Sequence, residues 1–324
     1  MELYRLYKSD IKVSIKTAKE VAKKTGKSTC YHLVDFLYSV VMYGVGPIQY
    51  SQGYFYKLRS FDREKTYTKQ RIYRLCELFN DKQYMHILRN KNEFNDYFKK
   101  YVSRDWIYCK TASVQEIEEF ISRNERIMVK PVNNSKGRGI YELQKDRKGI
   151  KDMANSFVGA NVVLEEFLIQ HPQMCYGNKS VNTLRIVTVL DREGIVQIIK
   201  TNFRCGIGDA IVDNFHAGGV MYPVNNKYGR IEESGLCDSL GDNIFIHPGT
   251  NCFMLGREVP FFKEALHMVQ DAAVTIPQVR FVGWDVAILE TGPELIEGNT
   301  RPGEDLMEFK GSEKGFYKKI LSYL

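Results

Sequence analysis

The clearest alternation in the chain lies near its end. From Phe281 to Leu289 bulky and small residues alternate around Asp285, Glu294 to Gly298 resumes an extended pattern, and Glu290-Thr291-Gly292-Pro293 between them is turn chemistry. The pattern predicts a β-hairpin. A three-residue loop, Glu290 to Gly292, with Gly292 in the left-handed position, sets Asp285 opposite Glu297. Asn299, two residues on, then shares their face. Upstream, β-branched runs parted by Gly and Asn begin near Arg126, as IMVK, GIYEL, VVLEEF, TLRIVTVL and GIVQIIK. Before residue 110 the period is three to four instead, which predicts helices. One is lysine-rich, over 10–27. Residues 31–56 read as helix, turn and packing segment, broken at Gly44-Val45-Gly46-Pro47. Residues 60–79 and 82–101 read as helices with Asn80-Asp81-Lys82 as the N-cap between them, and 113–121 opens on the capping box Ser-Val-Gln-Glu.

The polar residues that interrupt these patterns carry the candidate chemistry. Asp285, Glu297 and Asn299 offer two carboxylates and an amide oxygen with no histidine or cysteine beside them, which suits a hard divalent cation such as Mg²⁺ rather than zinc. Mg²⁺ in turn implies phosphates; the alternative is a surface hairpin whose acids are merely solvated. Between two strands lies Pro131-Val132-Asn133-Asn134-Ser135-Lys136-Gly137-Arg138-Gly139, whose small residues and cations suit a flap laid over phosphate oxygens, with Lys130 at the end of the preceding strand aimed at the same oxygens. The edge of the strand Val162 to Leu168 can offer an N–H and a carbonyl to an adenine ring, although read alone it is a buried strand. Arg185 interrupts the apolar run of TLRIVTVL and needs either a phosphate or a salt-bridge partner. Arg204 and Asn214 flank a second glycine-containing loop ending Gly218-Gly219, in which His216 is the histidine to consider for proton transfer. Gly26-Lys27-Ser28-Thr29 is not a phosphate loop, because Val21 occupies the position of the required first glycine and no strand precedes it.

Composition narrows the class only at the N-terminal end. The 324 residues are 44% hydrophobic and 26% charged, ordinary for a globular protein. Residues 1–110 hold 22 Lys and Arg against 11 Asp and Glu, so this third carries +11 and the rest −4. A basic third suits an anionic partner (nucleic acid, an acidic polymer, a lipid surface or nucleotide phosphates) or is a solvated helix face. No run approaches the roughly 18 apolar residues of a membrane span. The start MELYRLYKSD lacks the form of a secretory signal, and the seven scattered cysteines form no CxxC pair. The reading is a cytoplasmic protein with reduced thiols.

Lys130, Ser135 to Gly139, Leu164 to Leu168, Arg185, Asp285, Glu297 and Asn299 stand in the order of the phosphate lysine, glycine-rich flap, adenine hinge, arginine strand and metal set of the ATP-grasp superfamily, which the chain resembles. NTLRIVTV, VDNFHAGG, HPGTN, VGWDVAI and EGNTRPG look most like its sugar-transfer-associated branch. The resemblance implies an α+β ATP-grasp fold, two subdomains gripping ATP, behind a mainly helical N-terminal region. The expected division is 1–110 helical and basic, 111–170 ATP lid, and 171–324 metal and substrate subdomain. It implies ATP and Mg²⁺ as cofactors: Lys82, Lys130, Ser135, Lys136, Gly137, Gly139, Leu164, Glu165, Glu166, Phe167 and Leu168 on the nucleotide, Asp285, Glu297 and Asn299 on the metal, and Arg185, Arg204 and Asn214 at the transferred phosphate. It also implies a ligase that activates a small or sugar-linked carboxylate as an acylphosphate for attack by an amine, in a surface-polysaccharide context, with no nucleic acid partner. Two other readings stand beside it: a phosphotransferase using the same site, and a non-catalytic module binding an anionic polymer. The segment Ile169-Gln170-His171-Pro172 departs from the family, where many members place an acid for the ribose.

Overall fold

The computed structural model of the protein describes residues 11–133, 138–145, 149–178, 180–208, 218–237, 241–303 and 315–324; the expectations for Ser135, Lys136, Gly137, Asn214 and His216 fall outside them. Helices α1 (Ile11–Thr25), α2 (Thr29–Tyr43), α3 (Pro47–Ser51), α4 (Ser60–Arg63), α5 (Lys69–Phe79), α6 (Met85–Arg89) and α7 (Lys91–Tyr97) precede strand β1 (Trp106–Tyr108). Helix α8 (Val114–Arg123) leads into β2 (Ile127–Pro131) and β3 (Tyr141–Glu142), and α9 (Ile150–Phe157) into β4 (Val162–Glu166). Strands β5 (Thr183–Leu190), β6 (Val196–Cys205), β7 (Val220–Val224), β8 (Gly235–Cys237) and β9 (Gly241–Ile244) follow, then α10 (Phe262–Thr275), β10 (Phe281–Leu289), β11 (Gly292–Asn299) and α11 (Phe316–Leu321). Among the described residues no helix is long and apolar enough to cross a membrane.

Among the described residues the strands form two antiparallel sheets, one of four strands in the order β1-β4-β2-β3 and one of seven in the order β11-β10-β5-β6-β7-β8-β9. β5 and β10 are buried at every position, because both faces of the large sheet are covered there. Alternation sorts β10: Val282, Trp284, Val286 and Ile288 enter the core under α10, whose Ala265, Ala272 and Ala273 let it approach closely. Each such large side chain contributes about 1.5–3 kcal/mol by leaving water. Phe281, on the opposite face, packs with Leu75 and Phe79 of α5 and Phe316 and Ile320 of α11. Asp285 lies further along that second face. The small sheet has its own core, in which Ile117, Phe120 and Ile121 of α8 meet Ile127, Val129 and Leu164.

Two helix starts follow their local chemistry, and one expected start does not. Ser113 caps α8 in the expected box, and Ser28 caps α2 by accepting from Tyr31 N–H, so Gly26 to Thr29 is a helix-to-helix turn. The exception is Asn80. Expected to start a helix, it ends α5, and its side-chain amide donates to Phe281 O and accepts from Phe281 N–H, both at 2.8 Å. A tertiary pairing with the first residue of β10 outcompetes the local cap. The expected helix over 82–101 is divided into α6 and α7, which meet at Asn90.

The terminal hairpin pairs Asp285 with Glu297, but not by the expected route. Leu289 pairs with Gly292, so the loop has two residues, Glu290 and Thr291; a β-bulge between Asp285 and Val286 leaves Ile296 extra and restores the Asp285–Glu297 rung. Gly292, at φ +130°, opens β11 in a conformation few other residues adopt.

Candidate active site

Strand register assembles the first cluster. Across the sheet Asp285 faces Glu297 on one side and Arg185 on the other, and Arg185 in turn faces Asn202. Arg185 grips Asp285 with Nε and Nη2, the latter at 2.8 Å, and Arg204 Nη1 donates to Asp285 Oδ2 at 2.9 Å. All three side chains are largely buried. A Cβ at Gly283 would stand 3.2 Å from both Arg185 Cδ and Pro302 Cγ, so glycine leaves room for the arginine stem. Burial pushes the Asp285 carboxyl up, but Arg185 and then Arg204 outweigh it and hold it well below the ordinary carboxylate range. Glu297 goes the other way, raised by burial and by the adjacent Asp285. Asn299 donates its amide to Glu297 Oε1 at 3.2 Å and to Asp285 Oδ2 at 3.5 Å.

A second cluster joins the two sheets. Arg104, just before β1, is fully buried; its Nε meets Glu165 Oε2 of β4 and its Nη1 meets Glu294 Oε1 of β11, each at 2.7 Å. The same guanidinium donates to Leu295 O at 2.7 Å and Ile296 O at 3.4 Å, so the bulged backbone finds its partner in Arg104. Asn95 of α7 completes the group, donating to Glu165 at 3.0 Å and accepting from Arg104 at 2.9 Å. Lys130 Nζ also pairs with Glu165. Burial opposes the Glu165 charge, but Arg104 and Lys130 outweigh it and keep the carboxyl well below its usual range. Lys91, the first residue of α7, donates to Pro131 O at 3.0 Å; burial pushes its ammonium down, the charges of Glu297 and Glu165 raise it, and Lys130 lowers it. Lys91 thus lies in the field of both clusters.

The residues expected at a nucleotide therefore divide. Lys130 and Glu165 are paired with each other, and Lys130 is partly open to solvent. Leu164 turns into the core under α8, Glu166 is exposed and accepts from Asp105 N–H at 3.1 Å, and the Phe167 N–H donates to Arg126 O at 3.0 Å. Leu168 is half-buried, and Gly139 holds φ +73° just before β3. Gln170 bridges to Leu289 and His171 N–H donates to Ile288 O at 2.8 Å, so the segment after Leu168 crosses to the large sheet. Lys82 is on the outer surface, 3.9 Å from Glu77 and apart from these groups. Lys91 and Arg104 were not anticipated. A lysine after Asn90 looks like any helix-start lysine, and only the fold shows what it faces; Arg104 had a faint signal as a lone arginine ahead of the apolar Trp106 to Tyr108.

Asp285, Glu297 and Asn299 fit a hard divalent cation by chemistry. Two carboxylates and an amide converge on one buried face, and the raised Glu297 marks a spot where negative charge lacks full compensation. A cation there would need the Asn299 amide turned to present its oxygen.

A family model described as sugar-transfer associated ATP-grasp matches residues 66–316. No curated protein sequence matches. Among solved structures, the chain is similar to ATP-grasp ligase PsnB complexed with a minimal precursor (12% identity, 76% of this chain and 64% of that one, TM-score 0.47). It is also similar to N5-carboxyaminoimidazole ribonucleotide synthetase from Thermus thermophilus (11% identity, 75% and 53%, TM-score 0.46). A third is D-alanyl-alanine synthetase A from Vibrio cholerae (12% identity, 73% and 65%, TM-score 0.42). The chain spans less than two thirds of the length of each.

Proposed function

This chain belongs to the sugar-transfer-associated ATP-grasp family, and we propose that it is an ATP- and Mg²⁺-dependent ligase joining a carboxylate to an amine or other nucleophile in the making or modification of a surface polysaccharide. The observation that carries the reading is a pair of charged clusters joined by Arg104, Lys130 with Glu165 on the small sheet and Arg185 and Arg204 with Asp285, beside Glu297 and Asn299, on the large one, with Lys91 in the field of both. Phosphoryl transfer needs little beyond charge neutralisation and alignment, and such a set supplies both.

In this reading a carboxylate oxygen of the substrate attacks the γ-phosphorus, the bond to the β-phosphate oxygen breaks, and ADP leaves. The nucleophile then attacks the acyl carbon; the C–O bond to phosphate breaks, phosphate leaves, and the amine proton passes to solvent or phosphate. Lys130, oriented by Glu165, and Lys91 meet the phosphates from the small-sheet side. Arg185 and Arg204, held by Asp285, lend their positive charge to the transferred phosphoryl oxygens. Of the expected hinge, β4 lies between β1 and β2 and the N–H groups of Glu166 and Phe167 are already paired, so adenine would be met beyond the strand, at Leu168. Bound Mg²⁺, on Asp285, Glu297 and the Asn299 oxygen, would neutralise charge on the β- and γ-phosphates.

The test is release of ADP and phosphate with panels of carboxylates and amines, followed by the mass of the product. A new amide or ester formed with stoichiometric phosphate supports the ligase. A stable phosphorylated product with no phosphate released when amine is supplied would make the enzyme a phosphotransferase instead.

A further inference from the structure

The family match begins at residue 66, so α1 to α4 stand outside it. This segment has a core of its own, built on Val21, Phe36, Tyr43, Val45, Tyr50 and Phe55. What it shows to solvent is unusual. Helix α2 exposes Tyr31, Val34, Leu37, Tyr38, Val41 and Met42, with Val34 at 69% and Val41 at 56%. The only other exposed position on α2 is Cys30. Its single charge, Asp35, turns inward to Arg63 Nη1 and the Tyr50 hydroxyl, both at 2.7 Å. A helix facing only water carries charged residues on its outer side; this one carries none over four turns.

Positive charge lies on the neighbouring helix and at one end of that face. Helix α1, packed along α2, exposes Lys12, Lys16, Lys19 and Lys23, and Lys27 Nζ sits 4.3 Å from the Tyr31 ring at the edge of the apolar face. Residues 11–65 hold ten Lys and Arg against four Asp and Glu. A second copy docked on this face would bring the same positive charge against it. An anionic bilayer brings the opposite charge, and an uncharged aromatic and aliphatic helix face with lysines at its margin is the arrangement that seats in a lipid headgroup layer.

We propose that α1 and α2 form a membrane-docking surface that holds the protein on an anionic bilayer, with the outer face of α2 entering the headgroup layer and the lysines of α1 and Lys27 on lipid phosphates. This docking is independent of the reaction proposed above.

The test is flotation of the full chain with vesicles of phosphatidylcholine containing about one third phosphatidylglycerol, and with vesicles of phosphatidylcholine alone. The parent binds the anionic vesicles at least about tenfold more tightly, and salt weakens the binding. The pair Val34→Glu with Val41→Glu, and separately Lys19→Glu with Lys23→Glu, each lower it about tenfold or more, with melting temperature and ATP consumption unchanged because all four side chains are at the surface. Undiminished binding in the glutamate variant of α2, equal binding to both vesicle types, or no binding by the parent overturns the proposal. If the parent binds no vesicles but sediments as a dimer that Val34→Glu with Val41→Glu splits, the face is a self-association interface instead.

Discussion

Asp285 and Glu297 share one rung of a ladder, yet their protons are biased in opposite directions, and this separates two substitutions that look alike. Asp285→Asn takes from the buried Arg185 and Arg204 the carboxylate that both grip, which costs about 3–5 kcal/mol. Glu297→Gln removes a carboxyl whose ionisation burial and Asp285 oppose. Because its folded pKa is raised, the folded chain holds the proton more tightly than the unfolded one; that stabilisation is complete below the ordinary glutamate pKa and is lost as pH rises through the raised value. Without Mg²⁺, Glu297→Gln is therefore as stable as the parent or more so at about pH 8, and the gap closes in acid. Both variants lose about 10²–10³ in ATP-dependent turnover. Urea unfolding at the two pH values, with ADP formation alongside, checks this; equal destabilisation by the two changes would count against the assigned charge states. A second residue-scale contrast concerns the lysines. Lys91→Ala weakens binding of an ATP analogue in calorimetry and Lys82→Ala leaves it unchanged, since Lys91 lies in the field of Glu297 and Glu165 while Lys82 pairs with Glu77 at the surface. The reverse outcome would return the nucleotide lysine to position 82.

Among elements, the β10–β11 hairpin shows what a sequence pattern can and cannot specify. Alternation around Asp285 and the turn residues give the hairpin and the partner of Asp285; they do not give the two-residue loop, because a bulge compensates for it. The bulge is stabilised from outside, by a guanidinium 191 residues away from Leu295 in the chain, and no local window contains that information. Asn80 is a similar case, a good local cap drawn into a tertiary pair with Phe281. Ser113, with no competing partner, caps as its local sequence directs. Arg104 is the element-scale test. Arg104→Met leaves Glu294 in the interior without its cation and Glu165 with Lys130 alone, and lowers unfolding free energy by about 3–5 kcal/mol. Adding Glu165→Gln and Glu294→Gln recovers part of the loss, since the stranded charges are then gone. A triple variant no more stable than the single one would mean that the arginine acts through packing alone.

Over the whole molecule, the order of chemical residues along the chain was legible and their meeting place was not. Lys130, Arg185, Arg204, Asp285 and Glu297 each disturb an apolar strand pattern, so each can be picked out alone. What brings Lys130 toward the large sheet is the Arg104–Glu165–Glu294 bridge, and its members lie on three elements whose approach only the fold defines. If the cations on both sides of that junction hold one nucleotide, binding ties the two sheets together and stabilises the folded chain by mass action. At about 100 times its dissociation constant, a non-hydrolysed ATP analogue with Mg²⁺ should add about 2.7 kcal/mol, a rise of roughly 5 °C in melting temperature. At the same analogue concentration the rise should shrink in Lys91→Ala and Lys130→Ala on one side and in Glu297→Gln on the other, and persist in Lys82→Ala. With Mg²⁺ withheld, the parent should respond as Glu297→Gln does. A shift insensitive to Glu297→Gln and to Mg²⁺ would place the nucleotide on the small sheet alone and remove the metal from Asp285, Glu297 and Asn299.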